Sequence, residues 1–280
     1  MNLRDHLSFL LTNRVPRRML TLLMGRLSPV ELPLVTSAAI GVWKRFSDLD
    51  LSDARKDRFT SLQDCFIREL KPGARPIARD PATLVSPCDA IVGACGTIER
   101  GTVLQAKDSP YTLTELLTDR DYAQTYEGGQ YATLRITPTM YHRFHALHDL
   151  EVQHVTYVSG DTWNVYPIAL RRVERLFCRN ERAILRCRLT STGTPVALVP
   201  VAAILVASIR LHCADVLLHL KYRGPNQIPC RARYEKGQEM GWFQHGSTII
   251  ALVPRGVSLS EGIREGQRIR MGEPLFRQPA

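Results

Sequence analysis

The hydrophobic pattern changes character near residue 70. Before that point apolar side chains recur at helical spacing. Leu3, Leu7, Leu10 and Leu11 fall on one face of a helix, as do Leu20, Leu23, Met24 and Leu27. Arg14, Pro16, Arg17 and Arg18 separate the two groups. The stripes predict a helical part over residues 1–70. It can pack one face on a core, or lie on an anionic membrane as an amphipathic anchor. Lys71-Pro72-Gly73 and Arg75-Pro76 then break the pattern.

From Val85 onward short β-branched runs alternate with Gly, Pro, Asp and Ser. Ile91–Val92, Tyr131–Ile136, Val152–Val158, Ala183–Leu189, Val196–Ile209 and Thr248–Val253 predict strands, and Glu115–Leu117 part of a short helix. The run Val196–Ile209 falls short of the roughly 18–20 apolar residues a bilayer span needs. It also contains Pro200, so it reads as one buried strand. The expected fold class is α+β: an N-terminal amphipathic helical part, residues 1–70, followed by a β-rich domain, residues 71–280.

Composition narrows the class. Hydrophobic residues make up 44% and charged residues 23% of the 280, which excludes long disorder and fibrous folds. The net charge of +10 favours anionic partners, nucleic acid or an acidic membrane surface. No basic cluster interleaved with aromatics supports nucleic acid. The seven cysteines form no C-x-x-C pair, which argues against a disulfide scaffold or zinc ribbon and for a reducing compartment. Arginines at 14, 17 and 18 interrupt what would otherwise be a signal-peptide core.

Three short motifs carry candidate chemistry. Ser86-Pro87-Cys88-Asp89-Ala90 places an acid at a turn. Tyr141-His142-Arg143-Phe144-His145 offers two acid–base groups. With His148 added, a metal site or a His-based metal hydrolase is an alternative, although no H-E-x-x-H pattern accompanies it. His245-Gly246-Ser247-Thr248 lies between two apolar runs. Glycine leaves its carbonyl uncovered, and the next hydroxyl can attack it once a base removes its proton.

Taken in order along the chain, this set resembles the phosphatidylserine decarboxylases, self-processing enzymes that make their own pyruvoyl group. Phe66 through Ile77, Leu104 through Lys107, Leu176 through Arg182 and Met240 through Thr248 are similar to the family as well. The resemblance implies cleavage between Gly246 and Ser247, giving a large chain 1–246 and a small chain 247–280 that stay associated. It implies that His145 is the base for Ser247, with Asp89 orienting it as in a Ser-His-Asp arrangement. Ser247 then becomes the pyruvoyl cofactor, which forms a Schiff base with the amine of phosphatidylserine and acts as an electron sink. His142 is implied to return the proton that completes phosphatidylethanolamine. No metal is implied.

The implied partners are phosphatidylserine in the bilayer and the membrane surface, reached by a peripheral protein on the cytoplasmic side of the cell membrane. A homodimer of processed protomers is expected from the family. The sequence departs from the family at Ala90, where glycine is usual, at His245, and at Tyr166 within Asn164-Val165-Tyr166-Pro167. It also carries alanines within Val201–Ile209 where glycines are common. These departures motivate a second class, a non-catalytic, uncut membrane-surface protein on the same scaffold.

Overall fold

Seven consecutive residues from Ser247 to Val253 are buried whichever way their side chains point. Such a strand must lie inside a sheet that is covered on both faces. The computed structural model describes residues 16–106, 109–205, 208–244 and 247–279. Its helices are α1 Arg17–Leu27, α2 Pro33–Phe46, α3 Leu62–Phe66, α4 Leu113–Leu117, α5 Arg120–Gln124, α6 Pro167–Arg172 and α7 Leu176–Arg179. The strands begin with β1 Thr83–Val85, β2 Ala90–Thr97, β3 Thr102–Ala106, β4 Ser109–Thr112, β5 Gln130–Ile136 and β6 Arg143–His145. They continue as β7 Leu150–Val158, β8 Arg182–Leu189, β9 Pro195–Ala202, β10 Ser208–Leu211, β11 Val216–His219 and β12 Gln227–Tyr234. The last are β13 Glu239–Phe243, β14 Ser247–Val253, β15 Ser258–Leu259, β16 Arg268–Ile269 and β17 Pro274–Arg277.

The architecture mixes helix and sheet, as the α+β expectation has it. Eight strands form one antiparallel sheet in the order β12-β7-β8-β9-β14-β5-β2-β16. The strand β14 sits in its middle, paired with β5 on one edge and β9 on the other. Ile249, Ala251 and Val253 face one core, while Ile250 and Leu252 face a second. A smaller sheet, β11-β10-β13-β6, carries the strand that leads toward β14. The segment after Ser247 is woven into what precedes it, since β16 pairs with β2 and β17 with β1.

One sequence expectation changes. Val196–Ile209 is not one strand: β9 ends at Ala202 and β10 begins at Ser208. Leu205 between them has a left-handed backbone, φ 67°, and its N–H donates to Thr21 Oγ1 of α1 at 3.0 Å. The bend that meets the helix outweighs the β propensity of the run. Ala90, by contrast, lies in β2 and is not among the positive-φ residues, so no strain attends the missing glycine. The leucines at 3, 7, 10 and 11 lie outside the described residues.

In the helical part, Pro33 opens α2 at a position where its missing N–H costs nothing. Thr36 and Ile40 form its buried side, and Ile40 shares a small core with Leu49, Ala54, Phe59 and Cys65. Polar contacts join this part to the sheet. Arg75 bonds Asp53 through Nη1 at 2.8 Å and Asp89 through Nε and Nη2, the latter at 2.6 Å. Arg68 donates to Thr139 O, and Arg143 to Ile67 O. Arg17 pairs with Asp161 at 2.8 Å and stacks over the Trp163 ring, 3.6 Å from its centroid.

The Arg75 and Asp89 side chains are only 9% and 10% exposed. Removing one member of such a pair strands the other in a medium that solvates it poorly. Arg75→Ala is therefore expected to lower unfolding free energy by about 3–5 kcal/mol, read from the urea midpoint. A loss below about 1 kcal/mol, the range of exposed pairs, would show that Asp89 is satisfied without Arg75.

Candidate active site

Strand register gathers the motif residues at one end of the large sheet. Ser247, the first residue of β14, lies opposite Ile136 at the end of β5 and Ala202 at the end of β9. Asp89 immediately precedes β2, whose partner is β5. After β5 the chain turns through Thr137–Tyr141 and enters β6, which pairs with β13. Backbone bonds fasten these pieces together. His145 N donates to Pro87 O at 2.8 Å, and Phe243 N donates to His142 O at 2.9 Å.

The hydrogen bonds of His145 settle its neutral tautomer. Nδ1 lies 2.9 Å from Gly237 O, a group that can only accept, so Nδ1 carries the proton. Nε2 is then the basic nitrogen, and it meets the Tyr141 hydroxyl at 3.0 Å. Burial lowers the proton affinity of the ring; the Gly237 carbonyl and the charges of Glu239 and Asp89 oppose that effect in part. His145 is thus a neutral base near physiological pH.

Asp89 departs from the expected arrangement. Its carboxylate accepts from Arg75 and from Met271 N at 2.9 Å, and it makes no hydrogen bond to His145. Its influence on the ring is electrostatic and runs through the turn it belongs to, whose Pro87 carbonyl holds the His145 backbone. Ser247 is fully buried, and its Oγ has no hydrogen-bond partner among the described residues. Gly246 and His245 lie outside the described residues.

His142 is fully buried and donates Nδ1–H to Met140 O at 2.8 Å, which leaves Nε2 as its exchangeable nitrogen. The Phe66 ring meets it edge-on, with centroids 5.4 Å apart, and Trp43 packs on Phe66 at 4.8 Å. His148 turns elsewhere, with Nε2 2.8 Å from Pro81 O. The three histidines thus hold three separate carbonyls rather than one point. Among the described residues no group of three or more His, Cys, Asp or Glu could hold a metal ion.

Several residues of this end carried no individual expectation. Arg75 and Tyr141 lie within the family-like stretches, but residue type alone does not reveal a bidentate clamp or a hydroxyl on a base. Glu181 is 1% exposed with both carboxyl oxygens unpartnered among the described residues. Burial pushes its carboxyl up to about 8. A cleft of about 170 Å³ opens beside Asp89 and Tyr141, lined by Arg68, Arg75, Arg268 and Arg270 as well as acids. Tyr166, one of the departures, is 44% exposed.

Comparison with known proteins identifies the family. Residues 62–277 match the family described as phosphatidylserine decarboxylase. A phosphatidylserine decarboxylase proenzyme of Brevibacillus brevis is 33% identical over 276 residues, 96% of this chain and 97% of that protein. Proteins of the same name from Aliivibrio salmonicida and Shewanella woodyi are 34% and 33% identical, each over 97% of this chain and 98% of theirs. With the motif residues standing at one end of the sheet and the match spanning nearly the whole chain, this chain belongs to the phosphatidylserine decarboxylase family.

Proposed function

We propose that this protein is a proenzyme that cuts itself between Gly246 and Ser247 and then, at a membrane surface, decarboxylates phosphatidylserine to phosphatidylethanolamine. One observation carries the reading. A fully buried serine hydroxyl without a partner among the described residues heads the central strand, at the sheet end where two histidines and an aspartate also stand. Leaving a buried hydroxyl unsatisfied costs about 1–3 kcal/mol. A hydroxyl that must become a nucleophile gives that cost a purpose.

In the cutting step His145 Nε2 takes the proton of Ser247 Oγ as that oxygen bonds to the Gly246 carbonyl carbon. The C–N bond then breaks, the nitrogen takes up the proton, and an ester joins the two residues. The Tyr141 hydroxyl occupies Nε2 beforehand, so it must turn aside or relay the proton. Elimination from the ester followed by hydrolysis releases ammonia and divides the chain. The orphaned hydroxyl and the small Ala202 opposite it fit a pyruvoyl group at position 247. Such a group supplies an electron sink for the charge left when carbon dioxide departs. His142 Nε2 is the nitrogen that would pass a proton to the substrate carbon, its ring fixed by Met140 O and Phe66.

Surface composition supports access to a lipid. Among the described residues every exposed large apolar side chain except Leu104, Tyr166 and Leu205 lies between Met19 and Phe46. Met19, Leu23 and Leu27 recur every four residues on α1, and Leu34, Val35, Val42 and Phe46 line α2. Arg18, Arg26, Lys44 and Arg45 stand among them, a combination suited to an anionic interface. No helix among the described residues is long and apolar enough to cross a membrane. The apolar and basic surface of α1 and α2 supports a peripheral association, which we place on the cytoplasmic side of the cell membrane.

The decisive measurement is the denatured mass, with and without a carbonyl-reactive label. Two pieces ending at 246 and beginning at 247, with the label on the smaller, are expected. Ser247→Ala should stay whole and inactive, His145→Ala and Asp89→Ala should be cut slowly or not at all, and His142→Ala should be cut yet inactive. Turnover by an uncut Ser247→Ala protein would sink the mechanism.

Because burial lowers the proton affinity of His145, the base stays neutral as pH falls through the usual histidine value of about 6.5. The acid limb of the cutting rate should lie below that value; a midpoint at or above it would contradict the assignment. The double variant Leu34→Glu with Phe46→Glu, at positions 89% and 83% exposed, should weaken sedimentation with anionic vesicles by about tenfold or more. Its cutting should be unaffected, and unchanged sedimentation would remove α2 from the interface.

A further inference from the structure

Asn180, Glu181 and Arg182 are buried in succession, yet only two of them are satisfied. Asn180 donates to Trp163 O and Ala202 O and accepts from Trp163 N. Arg182 spends its guanidinium on the carbonyls of Leu116, Cys178, Asn180 and Glu115. Glu181 has neither kind of partner among the described residues. A carboxyl taken from water with no hydrogen bond in return is expensive, and the cutting and protonation steps above make no use of it.

Its position supplies a reason. Ala202 N donates to Glu181 O at 2.8 Å, continuing the register in which Arg182 faces Val201. Ala202 in turn faces Ser247. Residues directly opposite on antiparallel strands project to the same face. Glu181, Ala202 and Ser247 therefore form one row, with a methyl group as the only side chain in the middle. Strands are about 4.8 Å apart, so the outer two backbones are separated by roughly 10 Å. Glu181 and position 247 thus flank Ala202 on the same face of the sheet, one strand away on either side.

We propose that Glu181 is the base that takes the proton from the substrate's ammonium group beside position 247. The assignment rests on the decarboxylase reading. An ammonium has no lone pair with which to attack a carbonyl carbon, so it must first lose a proton. One N–H bond breaks, its electron pair stays on nitrogen, and the proton moves to a Glu181 oxygen. Both groups end neutral, the state that a buried site favours. An ordinary carboxyl near ~4.3 would be far too weak a base for this amine, which is more basic than a chain terminus at ~7.7–8.0 because a carboxylate sits on the same carbon. Burial raises Glu181 to about 8, which brings the transfer much closer to balance. The charged groups around it are Arg18 on α1, which opposes the effect of burial, and the Arg17–Asp161 pair beside the Asp161–Asn180 bridge.

The test compares full-length wild type with Glu181→Gln and Glu181→Asp. The first reading is the mass of the small chain and its reaction with hydroxylamine, an amine that is already neutral near neutral pH. The second is reductive capture of glycerophosphoserine by cyanoborohydride, read as added mass on the small chain. Glu181→Gln should be cut and react with hydroxylamine like the wild type, yet capture glycerophosphoserine roughly a hundredfold more slowly at about pH 7. The deficit should shrink above about pH 9, where the free amine is abundant in solution. Glu181→Asp should recover part of the rate, and it carries the same test should the Gln variant fail to fold. Equal capture at neutral pH, or a deficit constant across pH, overturns the assignment. A wild-type small chain without a ketone overturns the decarboxylase reading, and this assignment with it.

Discussion

The two-sided burial of β14 is the constraint on which the other features rest. A strand with neighbours on both edges and cores on both faces cannot shift register without moving every side chain to the wrong face. Four of its residues, Ile249, Ile250, Leu252 and Val253, are fully buried and large, each contributing on the order of 1.5–3 kcal/mol of transfer free energy. That fixes Ser247 at the mouth of the sheet to within the precision of a hydrogen-bonded ladder. A break just before this strand would remove no ladder bond from it. The strand would stay paired with β5 and β9, and β16 and β17 would stay paired with β2 and β1. Two pieces held this way need no linker to remain one protein.

The charged groups around that mouth divide the work differently from a hydrogen-bonded Ser-His-Asp chain. Asp89 is committed to Arg75, and Arg75 also reaches Asp53 in the helical part. The pair therefore joins the two parts of the molecule and holds the Ser86–Asp89 turn against the His145 backbone. The ring of His145 takes its orientation from Gly237 and Tyr141 instead. The aspartate contributes field and shape, while a neighbouring hydroxyl guards the basic nitrogen. On the proposed reading such a base is held ready, its basic nitrogen occupied by Tyr141 until the serine proton is taken.

Much of the fold was legible because period and composition are local. Helical spacing at Leu20 to Leu27 and β-branched runs such as Ala183–Leu189 correspond to α1 and β8. The break in Val196–Ile209 was not legible, because what bends it is Thr21, far away in sequence. Asp89, His142, His145 and Ser247 could be singled out by residue type and order. Their hydrogen-bond partners could not. Gly237 is an ordinary turn residue until β6 is laid beside β13, and Glu181 is one more acid until its row across β9 is known. The convergence of Asp89, Ser247 and the histidines is a property of strand order, which joins residues far apart in the chain.

If α1 lies at a membrane, as proposed above, its attachment accounts for how such a helix could serve a buried site. Its exposed face sets Met19, Leu23 and Leu27 among Arg18 and Arg26, and polar contacts tie it to the rest of the protein: Arg17 to Asp161 and over Trp163, and Thr21 to the Leu205 backbone. Apolar attachment would compete with a bilayer for the same side chains, since hydrocarbon solvates leucine as well as a protein core does. Polar contacts do not face that competition, and an ion pair near a low-dielectric surface is screened less than one in water. They also end at the segments that frame the site: Asp161 bridges to Asn180, next to Glu181, and Leu205 lies just past the end of β9. A helix fastened at those points can carry apolar surface into a membrane without loosening from the strands that hold Ser247.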